Sequence, residues 1–120
     1  MFVLIIGGGK VGLNTARQLL RLGHEIALVE RRKTRYDLIA GWLGEDALVF
    51  GDGTEVWVLE KAGIGRADLV VAVTGDDEDN IIISQVAELK FGVPKVVARV
   101  NNPFNPVSYT HLTLPTNREV

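Results

Sequence analysis

The stretch Phe2-Val3-Leu4-Ile5-Ile6-Gly7-Gly8-Gly9-Lys10-Val11-Gly12 decides the fold. Five consecutive apolar residues fit a parallel strand that is covered on both faces. The glycines then break the strand, and Val11, Ala16, Leu19 and Leu20 follow at near-helical spacing up to Gly23. A strand, a glycine turn and a helix in that order form a phosphate-binding unit. Gly7 allows the tight turn. Gly9 lets a pyrophosphate approach the backbone without meeting a Cβ. Gly12 lets the helix lie close to the strand. The helix N-terminus offers free N–H groups and positive potential to the phosphates.

The same alternation continues outward. Ile26-Ala27-Leu28-Val29, within Glu25 to Glu30, reads as a second buried strand, and 34–43 reads as a helix with Leu38, Ile39, Trp42 and Leu43 inward. Ala47 to Phe50 is a third strand. Thr54 is placed to cap a short helix carrying Val56, Leu59 and Ala62. Ala67 to Val73 is a fourth strand. Asp77 to Phe91 is a helix with acids in its first turn, where they suit the dipole, and Gly92-Val93-Pro94 ends it. Val96 to Val100 is a fifth strand. The pattern predicts a doubly wound parallel α/β sheet of the Rossmann type.

The ends of these strands carry the chemistry. Glu30 closes the second strand 18 residues after Gly12. A carboxylate there accepts hydrogen bonds from ribose hydroxyls and repels a 2′-phosphate, which favours NAD(H) or an adenine nucleotide over NADP(H). Arg31 and Arg32 pull the other way, since a guanidinium can hold a phosphate; the alternative for this basic pair, with Lys33 and Arg35, is a solvated helix start. Lys10 meets either phosphate or solvent. Asp52, in Gly51-Asp52-Gly53-Thr54, faces adenine or its ribose, or caps the next helix. Thr74 and Gly75 pass beside the nucleotide. The acidic run Asp76 to Asp79 reads as a helix N-terminus more readily than as a cation site. Arg99, charged in an apolar strand, pairs with an acid or reaches a ligand phosphate.

Composition excludes several other functions. The 13 basic and 15 acidic residues give a net charge of −2, without the basic excess of a nucleic-acid binder. The absence of cysteine removes disulfide scaffolds, thiolate metal sites and cysteine nucleophiles. No apolar run approaches the roughly 20 residues of a membrane span, so direct membrane insertion is not expected. A dehydrogenase needs a proton-transfer group beside the nicotinamide. Before residue 105 the single histidine is His24, expected at the sheet edge opposite the ligand, so an NAD-dependent dehydrogenase fragment is the second reading.

Taken together, GGGKVG (7–12), VER (29–31), GDGT (51–54), AGI (62–64), ADLVVAVTGDDEDN (67–80) and VPKVVARVNNP (93–103) resemble the TrkA N-terminal domain, the RCK or KTN family of regulators of potassium conductance. The resemblance covers residues 1–105. It implies a non-enzymatic, cytoplasmic regulatory subunit or domain, peripheral to the inner face of the membrane through a partner. That partner is a membrane potassium transporter or channel subunit. It also implies NAD(H) or ATP/ADP as ligand, gating by conformational change, and a homo-oligomer, either a dimer or an octameric ring. Carried over by position, Gly7, Gly9, Lys10, Val11 and Gly12 form the phosphate loop and Glu30 is the ribose acid. Arg31 is a basic neighbour, and Asp52, Thr74, Gly75 and Arg99 line the cleft.

Residues 106–120 break the pattern, ending in Val107-Ser108-Tyr109-Thr110-His111-Leu112-Thr113-Leu114-Pro115-Thr116 and four further residues without helical period. A helix is expected here to cover the fifth strand. The stretch 108–116 matches one reading frame of a transposon-type sequencing adapter. The expectation is therefore a nucleotide-binding domain over 1–105, truncated at its C-terminus, followed by a non-native tail. The alternative is a native, loosely ordered tail.

Overall fold

The computed structural model describes residues 1–101 and the backbone of Leu112–Thr113; the expected tail over 106–120 otherwise lies outside the described residues. The elements run β1 (Phe2–Ile6), α1 (Lys10–Arg21), β2 (Glu25–Glu30), α2 (Lys33–Leu43), β3 (Leu48–Phe50), α3 (Val56–Lys61), β4 (Leu69–Ala72), α4 (Asp77–Gln85), β5 (Lys95–Ala98) and β6 (Leu112–Thr113). A π-helical turn, Val86–Lys90, prolongs α4.

The sheet order is β3-β2-β1-β4-β5-β6. The first five strands are parallel, as expected from their continuous apolar runs. Only the short β6 is antiparallel, pairing Val97 with Leu112, and it has no counterpart in the sequence reading.

β1 is buried along its whole length because both faces are covered. Val3 and Ile5 join Leu13, Ala16, Leu28 and Ile39 beneath α1 and α2. Phe2, Leu4 and Ile6 join Val58, Leu59, Ile83 and Ala87 beneath α3 and α4. Period-two alternation in one strand thus feeds two cores. The chain turns to opposite sides after β1 and β4, which leaves a crevice between their carboxyl ends.

Two helix faces differ from expectation. In α2, Ile39 is fully buried and Leu43 packs at the core margin, but Leu38 and Trp42 are exposed. The inward stripe is Tyr36, Ile39, Ala40 and Leu43, one 3.6-residue face; positions 38 and 42 lie outside its arc. Trp42 instead carries the Arg17 guanidinium 4.9 Å from its ring centroid. In α1 the inward residues are Leu13, Ala16 and Leu19, with Val11 and Leu20 exposed.

Candidate nucleotide cleft

A cleft of roughly 640 Å³ opens at the carboxyl ends of the strands. That size suits a small-molecule ligand. Gly7, Gly9, Lys10, Val11, Glu30, Arg31, Asp52, Thr74, Gly75 and Arg99 all line it. Gly12 does not; it sits beneath the loop, where an added Cβ would lie 1.8 Å from the Gly7 carbonyl oxygen. Gly7 has φ +115°, and a Cβ there would meet the Val73 carbonyl oxygen at 2.6 Å. Those two glycines are therefore required by the fold itself. Gly9 differs: a Cβ on it would meet nothing within 4 Å. Its open side is the approach a phosphate requires, and Gly9 is the N-cap of α1 with no side chain capping the helix.

Glu30 is 3% exposed. Its Oε1 accepts from the Gly8 N–H at 2.8 Å and from Arg32 Nη2 at 3.1 Å. Its Oε2 accepts from the Arg32 N–H at 2.7 Å and Arg32 Nε at 3.0 Å. Burial pushes its pKa up, but the hydrogen bonds from the Arg32 side chain and from the Arg32 and Gly8 backbones outweigh it and hold the carboxyl below its ordinary value. Arg32 is thus more than a solvated helix start, because its guanidinium forks onto the acid. Gly8 had no assigned role in the sequence reading, yet it anchors Glu30.

Asp52 Oδ1 accepts from both the Thr54 N–H at 2.9 Å and the Thr54 hydroxyl at 2.8 Å. Thr54 therefore caps no helix; Glu55 is the N-cap of α3. Asp52 shapes the turn with one oxygen, and the other lies 3.9 Å from Arg31 Nη1.

Behind Thr74 and Arg99, Asn80 is fully buried. Its Oδ1 accepts from the Thr74 N–H at 2.9 Å and the Thr74 hydroxyl at 2.7 Å. Its Nδ2 donates to the Thr74 carbonyl oxygen at 3.1 Å and to the Arg99 carbonyl oxygen at 2.9 Å. The amide's two donors and two acceptor positions are all used. Asn80 escaped the sequence reading. A signal existed, because it shares the buried helical stripe of Ile83, Ser84 and Ala87, where a polar residue demands partners.

Asp76 caps α4 by accepting from the Asp79 N–H at 3.0 Å, so the acidic run starts a helix as expected. Burial and the neighbouring Asp76 and Asp52 charges raise the Asp79 pKa. Arg99 lies just past β5 rather than inside it, since the strand pairing stops at Ala98. Its Nε is buried and has no hydrogen-bond partner among the described residues. A buried, unpaired guanidinium nitrogen on a cleft wall fits an anionic ligand. His24 precedes β2, at the opposite end of the strands, where its Nδ1 lies 3.2 Å from the Met1 amino group.

The family model of the TrkA-N domain matches residues 3–113. A Trk system potassium uptake protein TrkA homolog from Methanothermobacter thermautotrophicus is 41% identical over a 121-residue alignment, covering 96% of this chain and 55% of the relative. The Trk system potassium uptake protein TrkA of Mycobacterium tuberculosis is 42% identical over 105 residues, covering 88% of this chain and 47% of the relative. The chain thus spans about half the length of the curated relatives it matches. Among solved structures, GsuK bound to ADP superposes with a TM-score of 0.71 at 28% identity, over 85% of this chain and 26% of that one. The GsuK channel bound to NAD gives the same TM-score and identity over 85% of this chain and 18% of that one.

Proposed function

The chain belongs to the TrkA-N domain family, and from that premise we propose that it is a nucleotide-sensing regulatory part of a potassium uptake system. The ligand is NAD(H), with ATP or ADP able to take the same cleft. The observation that carries this reading is the cleft wall itself. The open side of Gly9 and the uncapped start of α1 suit phosphates. Arg99, whose Nε is buried and has no hydrogen-bond partner among the described residues, lines the same cleft, and Glu30 ends β2 where a ribose would lie. The ligands of GsuK support the same choice.

The domain acts without catalysis. Its nucleotide changes the balance between two arrangements of a homo-oligomer, a dimer or an octameric ring, seated on the cytoplasmic side of a membrane transporter or channel subunit. Gating in this scheme requires the nucleotide to bind the two arrangements with different affinity. The potassium-uptake relatives support this assignment. Isothermal calorimetry with NAD⁺, NADH, NADP⁺, ATP and ADP tests it. We expect saturable binding of NAD(H) or an adenine nucleotide and weaker binding of NADP⁺. Binding of none of them would overturn the reading, and turnover of a substrate with NAD(H) would replace it with an enzyme.

A further inference from the structure

The carboxylate of Glu30 has no room left for a ribose. A carboxylate offers about four acceptor positions, and four hydrogen bonds already reach its two oxygens, from Gly8 N–H, Arg32 N–H, Arg32 Nε and Arg32 Nη2. Two of these donors are backbone groups fixed by the glycine loop and by the start of α2. The other two belong to one side chain, which is 60% exposed. Only the guanidinium can yield.

We propose that Arg32 occupies the ribose subsite as an internal competitor, so that a nucleotide binds by exchanging its ribose diol for the Arg32 fork on Glu30. This rests on the nucleotide reading of the cleft. Arg32 then acts as a specificity-determining residue. The diol gains two hydrogen bonds to Glu30 only by breaking two that the free protein already has, so the site rewards the diol weakly. Contacts to phosphate at the Gly9 loop are unaffected by the exchange and carry most of the affinity. A ligand without the diol leaves the Arg32–Glu30 pair in place.

The test compares ADP with 2′,3′-dideoxy-ADP on the full 120-residue chain and on Arg32→Ala. Calorimetry should show a small preference for ADP in the unsubstituted protein. In Arg32→Ala that preference should rise about tenfold, the worth of one charge-assisted hydrogen bond. An unchanged preference, with both ligands binding both proteins, overturns the proposal and leaves the nucleotide reading intact. Binding of neither ligand to either protein overturns both. A second readout needs no substitution. The Arg32 Nε–H resonance should be protected from exchange in the free protein, lose protection on adding ADP, and keep it on adding the dideoxy ligand. Retained protection with ADP bound overturns the exchange.

Discussion

The side-chain amide of Asn80 donates to the carbonyl oxygen of Arg99 at 2.9 Å, and this bond holds the carboxyl end of β5 against the start of α4. The same side chain clasps Thr74 through its N–H, hydroxyl and carbonyl. One buried residue therefore sets two loops that line the cleft. Asn80→Ala leaves these part-buried groups of Thr74 and Arg99 without their partner, and each unsatisfied group costs about 1–3 kcal/mol, not additively. We expect a loss of about 2–4 kcal/mol in urea denaturation. Nucleotide affinity should fall with it, because Thr74 and Arg99 lose their fixed positions.

The glycine loop separates fold from ligand in a pair of substitutions. Gly12→Ala puts a Cβ 1.8 Å from the Gly7 carbonyl oxygen, and backbone on both sides must shift. It should cost about 2–3 kcal/mol of stability, the upper range for overpacking. Gly9→Ala meets nothing within 4 Å, and its φ of −72° suits alanine. Its stability should stay within about 0.5 kcal/mol of the parent, while nucleotide affinity drops as the methyl enters the cleft. Thermal unfolding and calorimetry on the two variants check both halves.

These contrasts bear on what a sequence can disclose. The strands were legible because each is a short, largely apolar run, and burial on two faces demands such runs. The cleft was legible too: Glu30, Asp52, Thr74 and Arg99 stand at strand ends, and a parallel sheet brings all strand ends to one edge. What escaped was pairing across the chain. Asn80 meets Thr74 and Arg99, 6 and 19 residues away, only once α4 has packed on the sheet. Arg32 is two residues from Glu30, yet its fork depends on Gly8 turning the carboxylate from 22 residues away. The inward face of α2 was misjudged because Leu38 and Trp42 are apolar, although hydrophobicity alone does not place a residue on the buried arc.

Glu30 should dominate one part of the acid response. Its folded pKa is depressed below the ordinary 4.5. The stability it contributes is fully present above that ordinary value and is lost as pH falls through the folded one. Glu30→Gln cannot accept the same four bonds, and should cost about 1–3 kcal/mol at neutral pH. The gap between parent and variant should narrow steadily below about pH 4.5 as the parent's carboxyl takes up its proton. Denaturant titrations at a series of pH values give the curve. A gap that stays constant down to low pH would mean that the carboxylate charge is not what Arg32 and Gly8 hold.

Arg99 offers the sharpest division between stability and binding. Its backbone N–H donates to the Ala72 carbonyl oxygen at 3.0 Å, and its own carbonyl accepts from Asn80. Arg99→Ala keeps both bonds. What it removes is a guanidinium whose Nε is buried without a hydrogen-bond partner among the described residues, and burying an unpaired donor is a cost in the free protein. Stability should therefore stay within about 0.5 kcal/mol or rise. ADP affinity should move the opposite way, weakening by about 1–3 kcal/mol as a charge-assisted contact to phosphate is lost. Measured together by thermal unfolding and calorimetry, the two quantities should change with opposite sign or in affinity alone. A parallel fall in both would assign Arg99 to the scaffold of the cleft and leave the phosphates to the glycine loop.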